Sequence, residues 1–221
     1  MTELQFQIFE CSNINCRLRF PNDLSVQQVF SCPLCSSKML PVGEPFNNYR
    51  RPLLETWPNR VRLSLLLDNL RSADNVGSIF RSANGAGVLH IYCCGTTPTP
   101  DHARVRKASL GAEFYTPWSY YRNSLDLAGE LLIINHKLIA LESTPESTSL
   151  FEFSYSRIPD KTSVLIIGNE ISGIDPQLIN IAVNILHIPM SGEKTSLNAA
   201  VSAGIALYYL THKSNLNVQN D

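Results

Sequence analysis

From about residue 60 to residue 212 the chain switches repeatedly between short apolar runs and amphipathic stretches. The compact runs, rich in Val, Ile and Leu, predict strands over residues 61–67, 88–93, 113–116, 137–141, 164–167 and 185–188. Helical periodicity lies between them. Over 75–85 it places Val76, Ile79, Phe80 and Ala83 on one face, and further helices are predicted over 102–109 and 124–135. Residues 176–181 form a short helix with Pro176 in its first turn. A last helix is expected after Ser196, which reads as its N-cap. Its apolar stripe runs through Leu197, Ala200, Val201, Gly204, Leu207 and Tyr208. Strands alternating with helices imply an α/β domain with a mainly parallel sheet covered on both faces.

The first 41 residues follow a different logic. Residues 4–9 and 17–20 look like strands, and four of the six cysteines fall here as Cys11-x4-Cys16 and Cys32-Pro33-Leu34-Cys35. Two close pairs separated by a hairpin suit a tetrahedral thiolate site, and so short a segment needs a metal or crosslink to fold. Structural zinc is the favoured reading. Disulfides fit a cytoplasmic setting poorly, and a metal-free ribbon is the third alternative. Cys93 and Cys94 end an apolar run and read as packing. The expected organisation is a zinc-ribbon-like module over 1–41, a Pro- and Gly-rich linker over 42–59, the main domain over 60–213 and a tail over 214–221. A short helix broken by Pro52 and Pro58 is expected over 49–59.

Composition changes this picture little. No apolar run approaches the roughly 20 residues a membrane helix needs, and Met1-Thr2-Glu3-Leu4-Gln5 lacks a secretory profile, so a cytoplasmic protein is expected. The formal charge of −1 argues against a strongly basic nucleic-acid binder. Its distribution is uneven, however. Residues 60–122 hold eight Lys and Arg against four Asp and Glu, and residues 123–221 hold five against ten. Arg104, Arg106 and Lys107, in the basic segment, are candidate RNA contacts, against the alternative of a solvated helix face.

Three stretches carry candidate chemistry. They are Asn75-Val76-Gly77-Ser78-Ile79-Phe80-Arg81, Gly168-Asn169-Glu170-Ile171-Ser172-Gly173, and Ile188-Pro189-Met190 followed by Ser196-Leu197-Asn198. The last two leave predicted strands, where open α/β sheets bind ligands. No G-x-G-x-x-G follows the first strand, which disfavours a nucleotide-dependent oxidoreductase. With Lys107-Ala108-Ser109-Leu110-Gly111-Ala112, these stretches resemble, in order and spacing, the SpoU (TrmH-like) family of RNA 2′-O-ribose methyltransferases over about residues 60–212.

The resemblance implies a carboxyl-terminal trefoil knot, a homodimer, and an RNA substrate, tRNA or rRNA. It also implies S-adenosylmethionine held by Leu141, Glu142, Ile167, Gly168, Asn169, Gly173, Ile188, Pro189, Met190, Ser196 and Leu197. Asn75, Arg81, Glu170, Ser196 and Asn198 are its implied catalytic residues. Arg81 is expected to orient the ribose and phosphate beside the cavity, because a guanidinium with pKa above about 12 makes a poor base. Cys11, Cys16, Cys32 and Cys35 stand where many relatives carry a different RNA-binding extension. A non-catalytic RNA-binding relative with the same fold is the competing reading.

Overall fold

The computed structural model describes residues 5–25, 30–47, 62–153 and 162–212. The chain divides into two compact units, Met1–Thr56 and Trp57–Asp221. The helix expected over 49–59 and the tail over 214–221 lie outside the described residues.

The first unit is a three-stranded antiparallel sheet of β1 (Gln5–Cys11), β2 (Arg19–Asp23) and β3 (Met39–Asn47), in the order β2-β1-β3. Here the expected linker is corrected, because residues 42–47 continue β3 and pair with β1. Their Pro and Gly content suggested turns, but β3 is an edge strand, where proline is tolerated. A register shift between Phe6 and Ile8 absorbs the irregularity. There Gln7 Nε2 donates to the carbonyls of Val42 (3.0 Å) and Gly43 (2.8 Å).

The second unit is a seven-stranded parallel sheet. Its strands are β4 (Leu63–Asp68), β5 (Ile91–Cys94), β6 (Trp118–Tyr121), β7 (Lys137–Leu141), β8 (Thr148–Ser149), β9 (Ser163–Ile167) and β10 (Asn184–His187). They lie in the order β6-β5-β4-β9-β7-β10-β8. Every residue of β4 and β9 is buried, as expected for central strands covered on both faces. Leu63, Leu65 and Leu67 point into one core with α1 (Ala73–Ala86) and α5 (Ala199–His212). Leu66, Val164 and Ile166 point into the other with α3 (Ser124–Ile133) and α4 (Pro176–Ile181). Burial pushes the Cys93 and Cys94 thiols up to about 12, as suits packing residues. Among the described residues no helix is long and apolar enough to cross a membrane.

Two further expectations change. The strand predicted over 113–116 is a 3-10 turn, Ala112–Phe114, and the strand itself is β6. Leu110 and Gly111 are left-handed (φ 52° and 88°), which ends α2 (Ala103–Ser109) in a tight turn. Pro117 has no N–H for the ladder but its carbonyl accepts from Ile91 N (2.9 Å), and β6 follows it. In α5 the cap is Asn198, whose Oδ1 accepts from Ala200 N (2.9 Å) and Val201 N (3.3 Å), and not Ser196. The buried stripe is shifted accordingly. Ala203, Ala206, Leu207 and Leu210 are buried, and Val201 and Tyr208 are exposed. Gly204 lies beside Ser82 of α1, where an added Cβ would come within 3.5 Å of the Ser82 Oγ.

The stretch 75–81 lies within α1, in keeping with the helical periodicity over 75–85. Ser72 caps α1, its Oγ accepting from Asn75 N, and Phe80 is fully buried, worth roughly 1.5–3 kcal/mol. Gly77 faces α2, where an added Cβ would come within 2.5 Å of Ala108 Cβ and the Val105 carbonyl. Gly77→Ala is therefore expected to destabilise the domain by about 1–3 kcal/mol through overpacking. A urea titration followed by circular dichroism checks this, and an unchanged midpoint would contradict the close helix approach.

A candidate ligand pocket at the carboxyl edge of the sheet

Strands β9, β7 and β10 are neighbours, and their carboxyl ends open into one cavity of about 940 Å³. That size suits a cofactor-sized ligand. Leu141 and Glu142 line it from the end of β7, and Ile167, Gly168, Asn169, Glu170 and Gly173 from the end of β9. Ile188 and Met190 follow β10, and Ser196, Leu197 and Asn198 precede α5. Asn75 lines it from the first turn of α1. Pro189, expected with them, does not line the cavity.

The loop after β9 is closed by its own backbone. Asn169 N donates to the Gly173 carbonyl and Gly173 N to the Asn169 carbonyl, both at 3.0 Å. The Asn169 side chain accepts from Ile171 N (2.9 Å) and Ser172 N (3.1 Å) and donates to the Asn69 carbonyl (2.6 Å). A Cβ on Gly168 would overlap the backbone of Gly173 and Ile174. Gly173 is left-handed (φ 75°), and a Cβ there would come within 2.5 Å of Glu142 Oε2. Both glycines thus serve loop closure. The Glu142 carboxylate braces the same loop, accepting from Ile174 N (3.0 Å) and Ser143 N (3.1 Å).

At the rim, residues distant in sequence meet. Glu170 Oε2 accepts from Arg71 N (2.8 Å), and its Oε1 accepts from Ser72 N (3.0 Å) and Asn75 Nδ2 (2.9 Å). Asn198 Nδ2 donates to Asn75 Oδ1 (3.0 Å). Burial alone would raise the Glu170 carboxyl, but these donors outweigh it and leave it below its ordinary value. Asp68, buried at the end of β4, ties the neighbouring loops. It accepts from Ser124 Oγ (2.8 Å), Asn69 Nδ2 (2.8 Å) and Asp175 N (3.0 Å).

Arg81 does not join this group. It is exposed on α1 and does not line the cavity of its own chain. Six residues carry a helix about 9 Å along its axis and about 240° around it from Asn75. Of the expected RNA contacts, Arg104 lines the cavity and pairs with Asp74, and the two side chains are exposed. Arg106 Nη1 donates to the carbonyls of Pro100 (2.9 Å) and Asp101 (2.7 Å), so it clamps the loop before α2, whereas Lys107 is exposed. Arg71, Ser72, Ser143, His187 and Thr195 also line the cavity and were not anticipated. Arg71 and Ser72 stand just before a predicted helix start, a position suited to anions. The pairing of His187 Nδ1 with Ser147 Oγ (2.9 Å) left no sequence signal.

In the first unit the Sγ atoms of Cys11, Cys16, Cys32 and Cys35 lie within 4.8 Å of one another. Cys11 and Cys35 approach to 3.4 Å, and Cys16 and Cys32 to 3.7 Å. Four thiols at these separations are a donor set fit for one tetrahedral ion. Arg17 and Arg19 both pair with Glu10, at 3.4 and 3.2 Å.

Comparison with known proteins places these features in a family. The model of the SpoU rRNA Methylase family matches residues 62–208. The tRNA (guanosine(18)-2′-O)-methyltransferase of Aquifex aeolicus is 29% identical over 152 residues, covering 66% of this chain and 67% of that protein. The 23S rRNA (guanosine(2553)-2′-O)-methyltransferase RlmP of Bacillus subtilis is 30% identical over 153 residues, 68% of this chain and 58% of that protein. Among solved structures, the AdoMet-bound rRNA methyltransferase of Sinorhizobium meliloti superposes with a TM-score of 0.63 at 26% identity. It covers 80% of this chain and 64% of that one. The Aquifex aeolicus TrmH/SpoU tRNA modifying enzyme gives a TM-score of 0.62 at 25% identity, over 72% and 79% of the two chains. The chain spans between about half and two thirds of the length of these and similar curated relatives. With its parallel sheet flanked by helices and its family match over most of the second unit, this chain belongs to the SpoU rRNA Methylase family.

Proposed function

We propose that this chain transfers the methyl group of S-adenosylmethionine to a ribose 2′-hydroxyl in structured RNA, tRNA or rRNA. The observation that carries the reading is the cavity at the ends of β7, β9 and β10, with Asn75, Glu170 and Asn198 joined at its rim. It is supported by the AdoMet-bound Sinorhizobium meliloti relative and by the printed activities of the curated ones. When bound, the cofactor supplies an activated sulfonium methyl, so the protein's task is orientation and exclusion of water. The loops carrying Leu141, Ile167, Gly168, Ile188, Met190 and Leu197 would hold the cofactor. Arg71 and Arg104 at the mouth would receive RNA phosphate, a contact that is largely electrostatic. In this reading the carboxyl-terminal segment is knotted, and the enzyme works on RNA in the cytoplasm.

The active form in this reading is a homodimer. Its support is the exposed face where α5 lies on α1, with Val201 and Tyr208 exposed and the Tyr208 hydroxyl close to Gly85. Arg81, outside the cavity of its own chain, would then serve the second copy. The cysteine cluster would hold structural zinc, which compensates for the small core of the first unit, Phe9, Cys11, Cys32 and Met39.

Asn75→Ala is expected to lower methyl transfer about 10²-fold, since misplacement at a reacting centre costs about that much. S-adenosylmethionine affinity by calorimetry should change little, and undiminished transfer would overturn the assignment. Arg81→Ala and Asn75→Ala homodimers should both be inactive. Mixed and re-annealed, they should regain up to about a quarter of wild-type activity through random pairing in a two-fold dimer. No recovery would remove Arg81 from the partner's site. Metal analysis should find about one zinc per chain, lost in Cys11→Ser, as expected for a four-cysteine site. Zinc-free native protein with freely alkylated cysteines would refute the cluster.

A further inference from the structure

We propose that Glu170, Asn75 and Asn198 form a one-way hydrogen-bond relay that sets the start of α5 against α1, with Glu170 a positioning residue and not the acceptor of the substrate proton. This rests on the methyl-transfer reading above, and it assigns direction and purpose to groups which that reading only gathers at one site.

The direction follows from the two ends. A carboxylate can only accept, and the first N–H groups of a helix can only donate. At one end Glu170 already receives Arg71 N and Ser72 N, just ahead of α1. At the other end Asn198 Oδ1 receives Ala200 N and Val201 N at the start of α5. Between these fixed ends stand two side-chain amides, each with one donating and one accepting side. The only arrangement without a like-to-like contact turns Asn75 Nδ2 toward Glu170 and Asn198 Nδ2 toward Asn75 Oδ1. The structure has that arrangement, at 2.9 and 3.0 Å. Turning over either amide would oppose donor to donor or acceptor to acceptor at both of its neighbours. The relay therefore fixes both amides and, through them, the backbone of Ser196 and Leu197 where it lines the cavity.

The same bonds define what Glu170 does. Its two oxygens accept three N–H donors, which fill three of the roughly four lone-pair positions of the carboxylate and favour its ionised form. In this proposal Glu170 acts through the geometry of Asn75 and Asn198.

The test uses the full-length chain with Glu170→Gln, Asn198→Asp and the double variant. Asn198→Asp sets accepting oxygens against each other at Asn75, and turning Asn75 over only moves the conflict to Glu170. In Glu170→Gln, by contrast, the new amide turns toward Arg71 N and keeps its oxygen on Ser72 N and Asn75 Nδ2. That variant loses the Arg71 contact and keeps the relay. The double variant permits a continuous relay of reversed direction. It would run from the new amide at position 170, through Asn75, to the new carboxylate at position 198. Each variant that carries Glu170→Gln loses one backbone donor, Arg71 N in the single and Ser72 N in the double, so the number of lost contacts is the same in both. The expected result is a loss of about tenfold in methyl transfer for Asn198→Asp, a smaller loss for Glu170→Gln, and for the double a rate above that of Asn198→Asp alone, a rescue that independent sites do not show. The thermal midpoint of the double variant should be no lower than that of the worse single variant. The pH–rate profile of Glu170→Gln should keep its limbs and fall only in height.

Additive losses in both rate and midpoint would overturn the relay. Loss of a pH limb in Glu170→Gln would instead make Glu170 the base. If the Asn198→Asp variant folds poorly, Asn198→Ser retains a capping oxygen for α5 but lacks the amide donor. Wild-type turnover in that variant would also overturn the proposal. Should the wild-type chain transfer no methyl to tRNA or rRNA, the functional reading fails by itself, and coupling in the thermal midpoints still decides the relay.

Discussion

A parallel sheet covered by helices on both faces leaves polar chemistry only at its ends. In this chain β4 and β9 are buried along their whole length, and the leucines and isoleucines of the central strands are committed to two cores. Every strand of the seven-stranded sheet runs the same way, so the loops that leave them emerge on one edge. Three of those loops, from the adjacent strands β9, β7 and β10, are near enough to share a cavity. The remaining features work within that constraint. Asp68 ties loops along the edge, Glu142 closes the loop after β9, and the Glu170 group fastens two helices to the rim.

How much of this was legible in the sequence depended on how local the determining interaction is. Central strands were readable because burial on both faces demands unbroken apolar runs, and β7 and α4 fall where the pattern put them. The 113–116 segment misled because its residues are apolar enough for a strand, whereas the outcome was set by the left-handed pair Leu110 and Gly111 and by Pro117. Residues 42–47 misled in the opposite sense, since an edge position and a side-chain contact from Gln7 accommodate Pro and Gly. Two-residue β8 is too short to leave any periodicity.

In the site, the residues on strand exits were anticipated because position in the fold follows from chain order. Asn75, Glu170 and Asn198 were anticipated as members, although their mutual bonds span 95 and 123 positions and are invisible locally. Arg81 was expected beside the cavity, and helical geometry turns it away. Arg71 went unnoticed because its backbone contact with Glu170 spans 99 positions. In the first unit, cysteine spacing revealed the cluster, but the pairing of Arg17 and Arg19 with a shared Glu10 required the register of β1 and β2.

Gly77 has a consequence for how such chains are mapped. It sits two positions from Asn75 within a motif associated with ligand contact, yet the surface it meets is the backbone and Ala108 of a neighbouring helix. A saturation screen scored on growth would therefore rank it beside the residues of the cavity rim. Separating abundance from specific activity in such a screen would split the motif into a scaffold position and a chemical one, two classes of intolerance that share one short helix.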